Sequence, residues 1–115
     1  LGLSKSRSAD FRSANLAARI GPQARIALDG PIRVITGPAR IASALSLRLS
    51  ERPLVLLEGD LVASPWVSPA QIERYGVLWV GDDHLAPPPG LNVHWETEQL
   101  WWAVQQPAEG RVDAY

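Results

Sequence analysis

Residues 31–60 read PIRVITGPARIASALSLRLSERPLVLLEGD, and they carry the strongest structural signal in the chain. The run 31–36 is rich in β-branched side chains and predicts a strand. Gly37-Pro38 predicts a turn that leads into a helix. Within 39–49 the apolar residues Ile41, Leu45 and Leu49 recur at helical spacing. The continuous apolar run in 53–60 is typical of a buried parallel strand, so the stretch predicts strand–helix–strand.

The pattern continues toward the C-terminus. Ser68-Pro69 predicts the capped start of a short helix that ends at Gly76, and the apolar segment 77–83 predicts a third buried strand containing Trp79. After Pro87-Pro88-Pro89-Gly90, the segments LNVHWE and QLWWAVQQ predict an antiparallel hairpin. The predicted fold class is therefore α/β: a βαβαβ parallel core, in two or three layers, with a C-terminal antiparallel hairpin.

The N-terminal region predicts a helix that begins near Ser8 or Asp10, buries Phe11, Leu16 and Ile20, and breaks or kinks at Gly21-Pro22. We expect three parts: residues 1–8 as a frayed linker from a preceding membrane helix, 9–107 as a single soluble α/β domain, and 108–115 as a tail. The chain begins with Leu1-Gly2-Leu3 and contains no Met. This favours a fragment cut from a longer protein just after a membrane helix.

Composition excludes several classes of protein. Eleven basic against twelve acidic residues give a net charge of −1, which argues against a nucleic-acid partner. The absence of Cys excludes a disulfide framework, a thiolate zinc site and cysteine catalysis. The sequence contains neither a glycine-rich phosphate loop nor a nucleophile elbow. We therefore predict no catalytic residue and no metal site in this domain.

A candidate ligand-binding site lies where the predicted parallel strands end. In open α/β sheets, ligands bind beyond the carboxyl ends of the strands. Carboxylates and an imidazole at that edge could bind a cation or act as acid and base; the alternative is that they are ordinary turn formers. With the tryptophan of the intervening loop, the predicted site consists of Glu58, Asp60, Trp66, Asp82, Asp83 and His84.

The tryptophans of the last segment give a second expectation. Because side chains alternate along a strand, either Trp101 or Trp102 must point away from the core. An exposed indole beside Trp66 could contact a glycan, a partner domain or lipid headgroups, and the alternative is packing under a loop or the first helix. His94 is interpreted as an exposed surface residue.

The order of several short motifs resembles the C-terminal region of bacterial integral-membrane glycosyltransferases. These belong to the superfamily of protein O-mannosyltransferases and lipid A aminoarabinose transferases, and the resemblance covers roughly residues 8–107. The helix 39–49 lacks the bulky aromatic and Asn residues that are common in the family. The matching residues are Gly37, Arg52-Pro53, Gly59-Asp60, Ser64-Pro65-Trp66, Pro69, the segment 76–82 and the closing LWWAVQQP.

The resemblance implies a function for the parent protein. The parent would transfer a sugar from a polyprenyl-phosphate donor to an extracytoplasmic acceptor, using catalytic acids in a loop outside this chain. This chain would be a non-catalytic accessory domain, acting as scaffold, lid or acceptor-docking surface without a cofactor of its own. Its expected partners are its own N-terminal transmembrane domain and a glycan or lipid-linked acceptor. It would lie on the periplasmic side of the bacterial inner membrane.

Two other interpretations remain open at this stage. The first is a freestanding α/β module that binds a ligand or a sugar. The second is a small enzyme that uses Asp60, Asp82, Asp83 and His84.

Overall fold

Helices alternate with strands in the first two thirds of the chain, as the sequence predicts. The computed structural model describes residues 2–58, 62 and 64–107, with side chains from residue 15 onward. Its elements, in chain order, are α1 (Gly2–Leu28), β1 (Val34–Gly37), α2 (Ala39–Arg48), β2 (Leu54–Leu57), α3 (Pro69–Tyr75), β3 (Val77–Asp82), β4 (His94–Thr97) and β5 (Leu100–Gln105).

The five strands form one mixed sheet in the order β2-β1-β3-β5-β4. β1 pairs in parallel with both β2 and β3, whereas β5 is antiparallel to β3 and to β4. The predicted α/β class, the parallel core and the C-terminal hairpin are therefore confirmed. Of the two predicted layer counts, three is correct, because α1 and α2 cover one face of the sheet and α3 covers part of the other.

Helix α1 is longer than the sequence predicts. It begins at Gly2 rather than near Ser8 or Asp10, and it continues through Gly21-Pro22 to Leu28, so the predicted break is wrong. Pro22 lies on the exposed side of the helix, where its ring and its missing N–H face solvent. The helix is held beyond Pro22 by packing, since Ile20, Ala24 and Leu28 are all buried against α2 and the sheet. Leu16 is buried as predicted, and the side chain of Phe11 lies outside the described residues.

A partly buried ion pair joins α1 to the α2–β2 turn. The Nε and Nη2 groups of Arg25 donate to the two carboxylate oxygens of Glu51, each at 2.7 Å. Glu51 also accepts a bond from the backbone N–H of Ile32 at 3.0 Å, just before β1. The Arg25 hydrogen bond lowers the pKa of Glu51 to about 2, and the bond from Ile32 adds to this effect against the opposing effect of burial. The same pairing raises the pKa of Arg25.

Both tryptophans of β5 are buried, so the alternative interpretation, packing under a loop or the first helix, is the correct one. They do point to opposite faces, but both faces are covered at this strand: Trp102 packs in the α1–α2 core, and Trp101 is buried under the turn after β3. The indole N–H of Trp101 donates to the carbonyl oxygens of Asp82 and Leu85, each at 3.0 Å. Gly81, paired with Trp101, leaves room for this ring, because a Cβ there would lie 2.3 Å from Cζ2 of Trp101.

Two further predictions about side chains need adjustment. Trp79 is only half-buried on the α3 face, where its indole N–H donates to Oε1 of Gln105 at 3.0 Å. His94 is exposed as predicted, but its ring also stacks on Trp102, with ring centroids 4.4 Å apart. Among the helices of the described residues, none is long and apolar enough to cross a membrane.

Candidate functional site

The two crossover connections diverge at the boundary between β1 and β3. α2 connects β1 to β2 across one face of the sheet, and α3 connects β2 to β3, on the other side of β1, across the opposite face. In open α/β sheets this divergence leaves a crevice at the carboxyl ends of the strands, where ligands bind. Gly37, at the end of β1, allows the two strands to approach closely there, because a Cβ would lie 2.3 Å from the carbonyl oxygen of Val80.

A polar cleft of about 730 Å³ opens at this boundary. We call it the strand-end cleft. Its walls come from α1, the start of α2, the end of β3 and the turn between β4 and β5. Seven polar residues contribute to its lining: Arg19, Arg40, Asp82, Asp83, Thr97, Glu98 and Gln99. Groups that only donate hydrogen bonds and groups that only accept them therefore share one cavity.

Asp82 has a structural role as well as a place in the cleft. Its Oδ1 accepts the backbone N–H of His84 at 3.0 Å, and this bond fixes the turn that leaves β3. Its backbone carbonyl accepts from the indole of Trp101. Asp82 therefore acts as a turn former through its Oδ1. It also lines the cleft, which is compatible with the hypothesis that it binds a ligand.

Asp83 and His84 follow Asp82 in the same turn, and of the two only Asp83 lines the cleft. Nε2 of His84 is 3.7 Å from Oδ1 of Asp83, but the His84 side chain is 89% exposed and the Asp83 side chain 48%. Such an exposed pair contributes little to stability and leaves both groups accessible to a ligand. Within the described residues, no three His, Cys, Asp or Glu side chains are arranged to hold a metal ion.

The two arginines of the cleft differ in their surroundings. Nε of Arg19 lies 3.8 Å from Oε2 of Glu96, whose other carboxylate oxygen accepts the indole N–H of Trp102 at 3.0 Å. The Arg19 side chain is thus anchored beside β4 while 55% of it stays exposed. Arg40 is exposed near the start of α2, and within the described part of the chain no carboxylate pairs with it.

The structure separates Glu58 from the other predicted site residues. Glu58 follows β2 and has a φ of +48°. Its backbone N–H donates a hydrogen bond to the carbonyl oxygen of Gly37. Because β1 lies between β2 and β3, the end of β2 is about 10 Å from the end of β3, two strand spacings away. Asp60 lies outside the described residues. Of the predicted residues, Asp82 and Asp83 line the strand-end cleft, whereas Glu58 lies apart from it and His84 is not part of its lining. Their role in binding a ligand stays a prediction.

Trp66 lies against the outer edge of β2 and does not line the strand-end cleft. Its indole N–H donates to the carbonyl of Val55 at 2.6 Å, although half of the side chain stays exposed. The buried hydroxyl of Ser64 accepts the backbone N–H of Leu57 at 2.8 Å. The Ser64-Pro65-Trp66 loop thus occupies backbone groups of an edge strand that would otherwise be open to another strand.

Sequence reasoning missed Arg19, Arg40, Glu98 and Gln99. Arg40 could have been found, because the crevice at such a boundary is flanked by the helix after the first strand. Arg19 lines the cleft only because α1 packs across the sheet. Glu98 and Gln99 line it only because the β4–β5 hairpin pairs with β3. No short-range pattern in the sequence signals either arrangement.

Comparison with known proteins identifies no relative. No protein-family model, no curated protein and no solved structure matches the chain.

Proposed function

We propose that this chain is a non-catalytic accessory domain of a polyprenyl-phosphate-sugar-dependent membrane glycosyltransferase, and that its strand-end cleft docks the acceptor. The domain would lie on the periplasmic side of the bacterial inner membrane, against the transmembrane part of its parent. The observation that carries the docking role is the cleft of about 730 Å³ at the divergence of the two crossovers, with cationic and anionic side chains on facing elements.

The chemistry of the lining suits a hydroxyl-rich ligand. Each sugar hydroxyl both donates and accepts hydrogen bonds, whereas arginine only donates and an ionised carboxylate only accepts. Arg19 and Arg40 on the helices can bond to hydroxyl oxygens, while Asp82, Asp83 and Glu98 can accept hydroxyl protons. The cleft also lies within the range of volumes that small-molecule sites occupy, roughly 300–1,000 Å³.

The identity of the parent rests on the motif order described above. In that family the sugar is transferred by residues outside this region, so this domain would position the acceptor and leave the chemistry to the membrane domain. The turn role of Asp82 supports this division, because one of its carboxylate oxygens is already used to hold the loop.

The docking role can be tested in the full-length parent with Arg40→Gln and Asp83→Asn. Both side chains are exposed, so neither change should impair folding. Loss of a hydrogen bond to a charged group weakens binding by about 1.5–3 kcal/mol, so the KM for the acceptor should rise at least about tenfold. The kcat should stay near wild type, because the contact is equal in the ground and transition states.

The matched control is Arg48→Gln, which removes the same charge from an exposed position at the other end of α2. An unchanged KM in both cleft variants would overturn the docking role. A fall in kcat without a change in KM would instead place the cleft in the catalytic machinery and contradict a non-catalytic domain.

The freestanding binding module remains the competing function, and the parent's coding sequence separates the two. Membrane-spanning segments upstream of this domain are required by the accessory-domain proposal. If the full coding sequence holds none, while the chain alone binds a saccharide in the strand-end cleft, the freestanding module is correct.

A further inference from the structure

A second polar cavity lies at the opposite end of the sheet, where the parallel strands begin. It has a volume of about 280 Å³ and lies between the residues before β1, the turn before β2 and helix α3, which contributes Gln71 from its first turn and Tyr75 from its end. We call it the arginine pocket and define it by Arg33, Arg52, Gln71 and Tyr75, with Glu51 at its inner wall. It shares no lining residue with the strand-end cleft.

The single carboxylate of this pocket is already neutralised. Both oxygens of Glu51 accept bonds from Arg25, and one of them also accepts the N–H of Ile32. In contrast, within the part of the chain that the structure describes, no carboxylate lies within ion-pair distance of Arg33, Arg52 or the neighbouring Arg74. The pocket therefore carries a local positive charge, although the whole chain has a net charge of −1.

Tyr75 makes cation–π contacts with two of these arginines. The guanidinium carbons of Arg33 and Arg74 each lie 5.6 Å from the centroid of its ring. The ring attracts both cations through its π face and restricts where their guanidinium groups lie. Two like charges held by one ring repel each other, so an anion bound beside them would be favoured.

The remaining donors come from two other elements. Oε1 of Gln71 accepts the N–H of Ser68 in the capping box of α3, which leaves the Gln71 amide NH₂ as a donor. Arg52 has a φ of +49°, a conformation that non-glycine residues rarely adopt, and it turns the chain from α2 into β2 beside the pocket. Two arginines, a glutamine and a tyrosine thus line the cavity from three segments of the fold.

We propose that the arginine pocket binds a phosphate group, a monoester or a diester, through Arg33 and Arg52, with Gln71 and Tyr75 as neutral donors. Guanidinium groups present paired N–H donors that match phosphate oxygens. Donors that converge from three elements suit a tetrahedral anion better than a planar carboxylate. The phosphate could belong to a soluble phosphoester or to a lipid headgroup, and both sources present the same group to the pocket.

The first experiment titrates the isotope-labelled chain with inorganic phosphate and with glycerol phosphate, observing backbone amides and the arginine Nε–H groups by NMR. Saturable shifts should centre on Arg33, Arg52 and Tyr75, and the affinity should fall as salt is added. Arg33→Gln and Arg52→Gln should each weaken binding about tenfold. The affinity of Arg52→Lys for phosphate should lie between that of these variants and that of wild type, because lysine keeps the charge but loses the paired N–H donors.

Arg48→Gln is the matched control, since it removes an exposed arginine of α2 that does not line the pocket. It should bind phosphate like wild type. Arg33 and Arg52 are exposed, so the variants should keep the amide dispersion of the folded chain.

The second experiment identifies the source of the phosphate by co-sedimentation with vesicles of phosphatidylglycerol or of phosphatidylcholine. Binding to the anionic vesicles that is lost in Arg33→Gln and Arg52→Gln assigns the pocket to a lipid headgroup. NMR shifts without vesicle binding assign it to a soluble phosphoester. If neither probe binds, or if the two variants bind as tightly as wild type, the proposal is overturned.

Discussion

Replacing Glu51 by Gln should destabilise the domain in a way that depends on pH. The carboxylate joins three segments: Arg25 in α1, the turn before β2 that carries Glu51 itself, and Ile32 before β1. Glutamine keeps a side-chain oxygen that can accept the N–H of Ile32, but it loses the negative charge that Arg25 binds. The substitution therefore removes the ionic part of the contact and retains most of its shape.

The size of the effect follows from the pKa of Glu51. Pairing with Arg25 lowers this pKa from its ordinary value of 4.5 to about 2. At about 1.4 kcal/mol for each pH unit, the difference corresponds to roughly 3 kcal/mol as an upper limit. The Arg25 side chain is 36% exposed, so solvent screens part of the interaction. We expect Glu51→Gln to lower the free energy of unfolding at pH 7 by about 1–2 kcal/mol.

The pH dependence has a definite sign. Because the pKa is lower in the folded chain, the carboxylate contributes its full stability above the unfolded value of 4.5. That contribution is lost as the pH falls from 4.5 toward 2, where the folded protein also takes up the proton. The stability difference between wild type and Glu51→Gln should therefore shrink over this interval and nearly vanish at its lower end.

Urea denaturation followed by tryptophan fluorescence measures this difference at a series of pH values. The control is Glu73→Gln, which removes an exposed carboxylate from α3 and should change stability by less than about 0.5 kcal/mol. Arg25→Gln should lower the free energy of unfolding by a similar amount. The double variant, Arg25→Gln with Glu51→Gln, should lower it by less than the sum of the two single effects. A difference that stays constant from pH 7 to pH 2 would refute the reasoning, because the charge of Glu51 would then not be its source.

Two further substitutions test the packing of the sheet by the same denaturation assay. Gly81→Ala should cost about 1–3 kcal/mol, because its Cβ would meet Cζ2 of Trp101 at 2.3 Å while that indole is held by two carbonyls. Gly30→Ala, where no atom lies within 4 Å, should be neutral or slightly stabilising, and equal effects at both sites would contradict the role of Trp101. Ser64→Ala should cost about 1–3 kcal/mol, because it leaves the N–H of Leu57 without its acceptor. The exposed Ser43→Ala is its control, and a wild-type stability of Ser64→Ala would show that the loop does not protect the edge of β2.

The parallel strands could be predicted from the sequence because helices pack on both faces of this part of the sheet, although Leu54 of the edge strand β2 is exposed. Such strands consist of continuous apolar runs between turn residues, and β1, β2 and β3 all show this pattern. Coverage of both faces also decides between the two interpretations of Trp101 and Trp102, because both indoles are packed and neither is exposed. Alternation predicts one exposed indole only if one face of the sheet meets solvent, and the turn after β3 covers that face at Trp101. The prediction at Gly21-Pro22 failed because tertiary packing on both sides of Pro22 outweighs the local preference of proline.

The candidate site was only partly predictable because strand order is not encoded locally. The residues after each strand can be identified from turn chemistry, and for Asp82 and Asp83 this was sufficient. Whether Glu58 joins them depends on which strand lies in the middle of the parallel core. The second crossover passes β1 before it returns to the sheet, which places β1 between the ends of β2 and β3. That path depends on the packing of Val67 and of Ile72 in α3 against the far face of the sheet.

The ion pair that stabilises the fold also determines the charge of the proposed phosphate site. Glu51 lines the arginine pocket, and its two oxygens are directed to Arg25. Without Arg25, the same carboxylate would become available to the guanidinium groups of Arg33 or Arg52 across the same cavity, and the local positive charge would be reduced. Arg25 does not line the pocket, but it determines whether the pocket can attract an anion. The contact between α1 and the turn before β2 therefore has two consequences, since it stabilises the domain and leaves two arginines unpaired where the parallel strands begin.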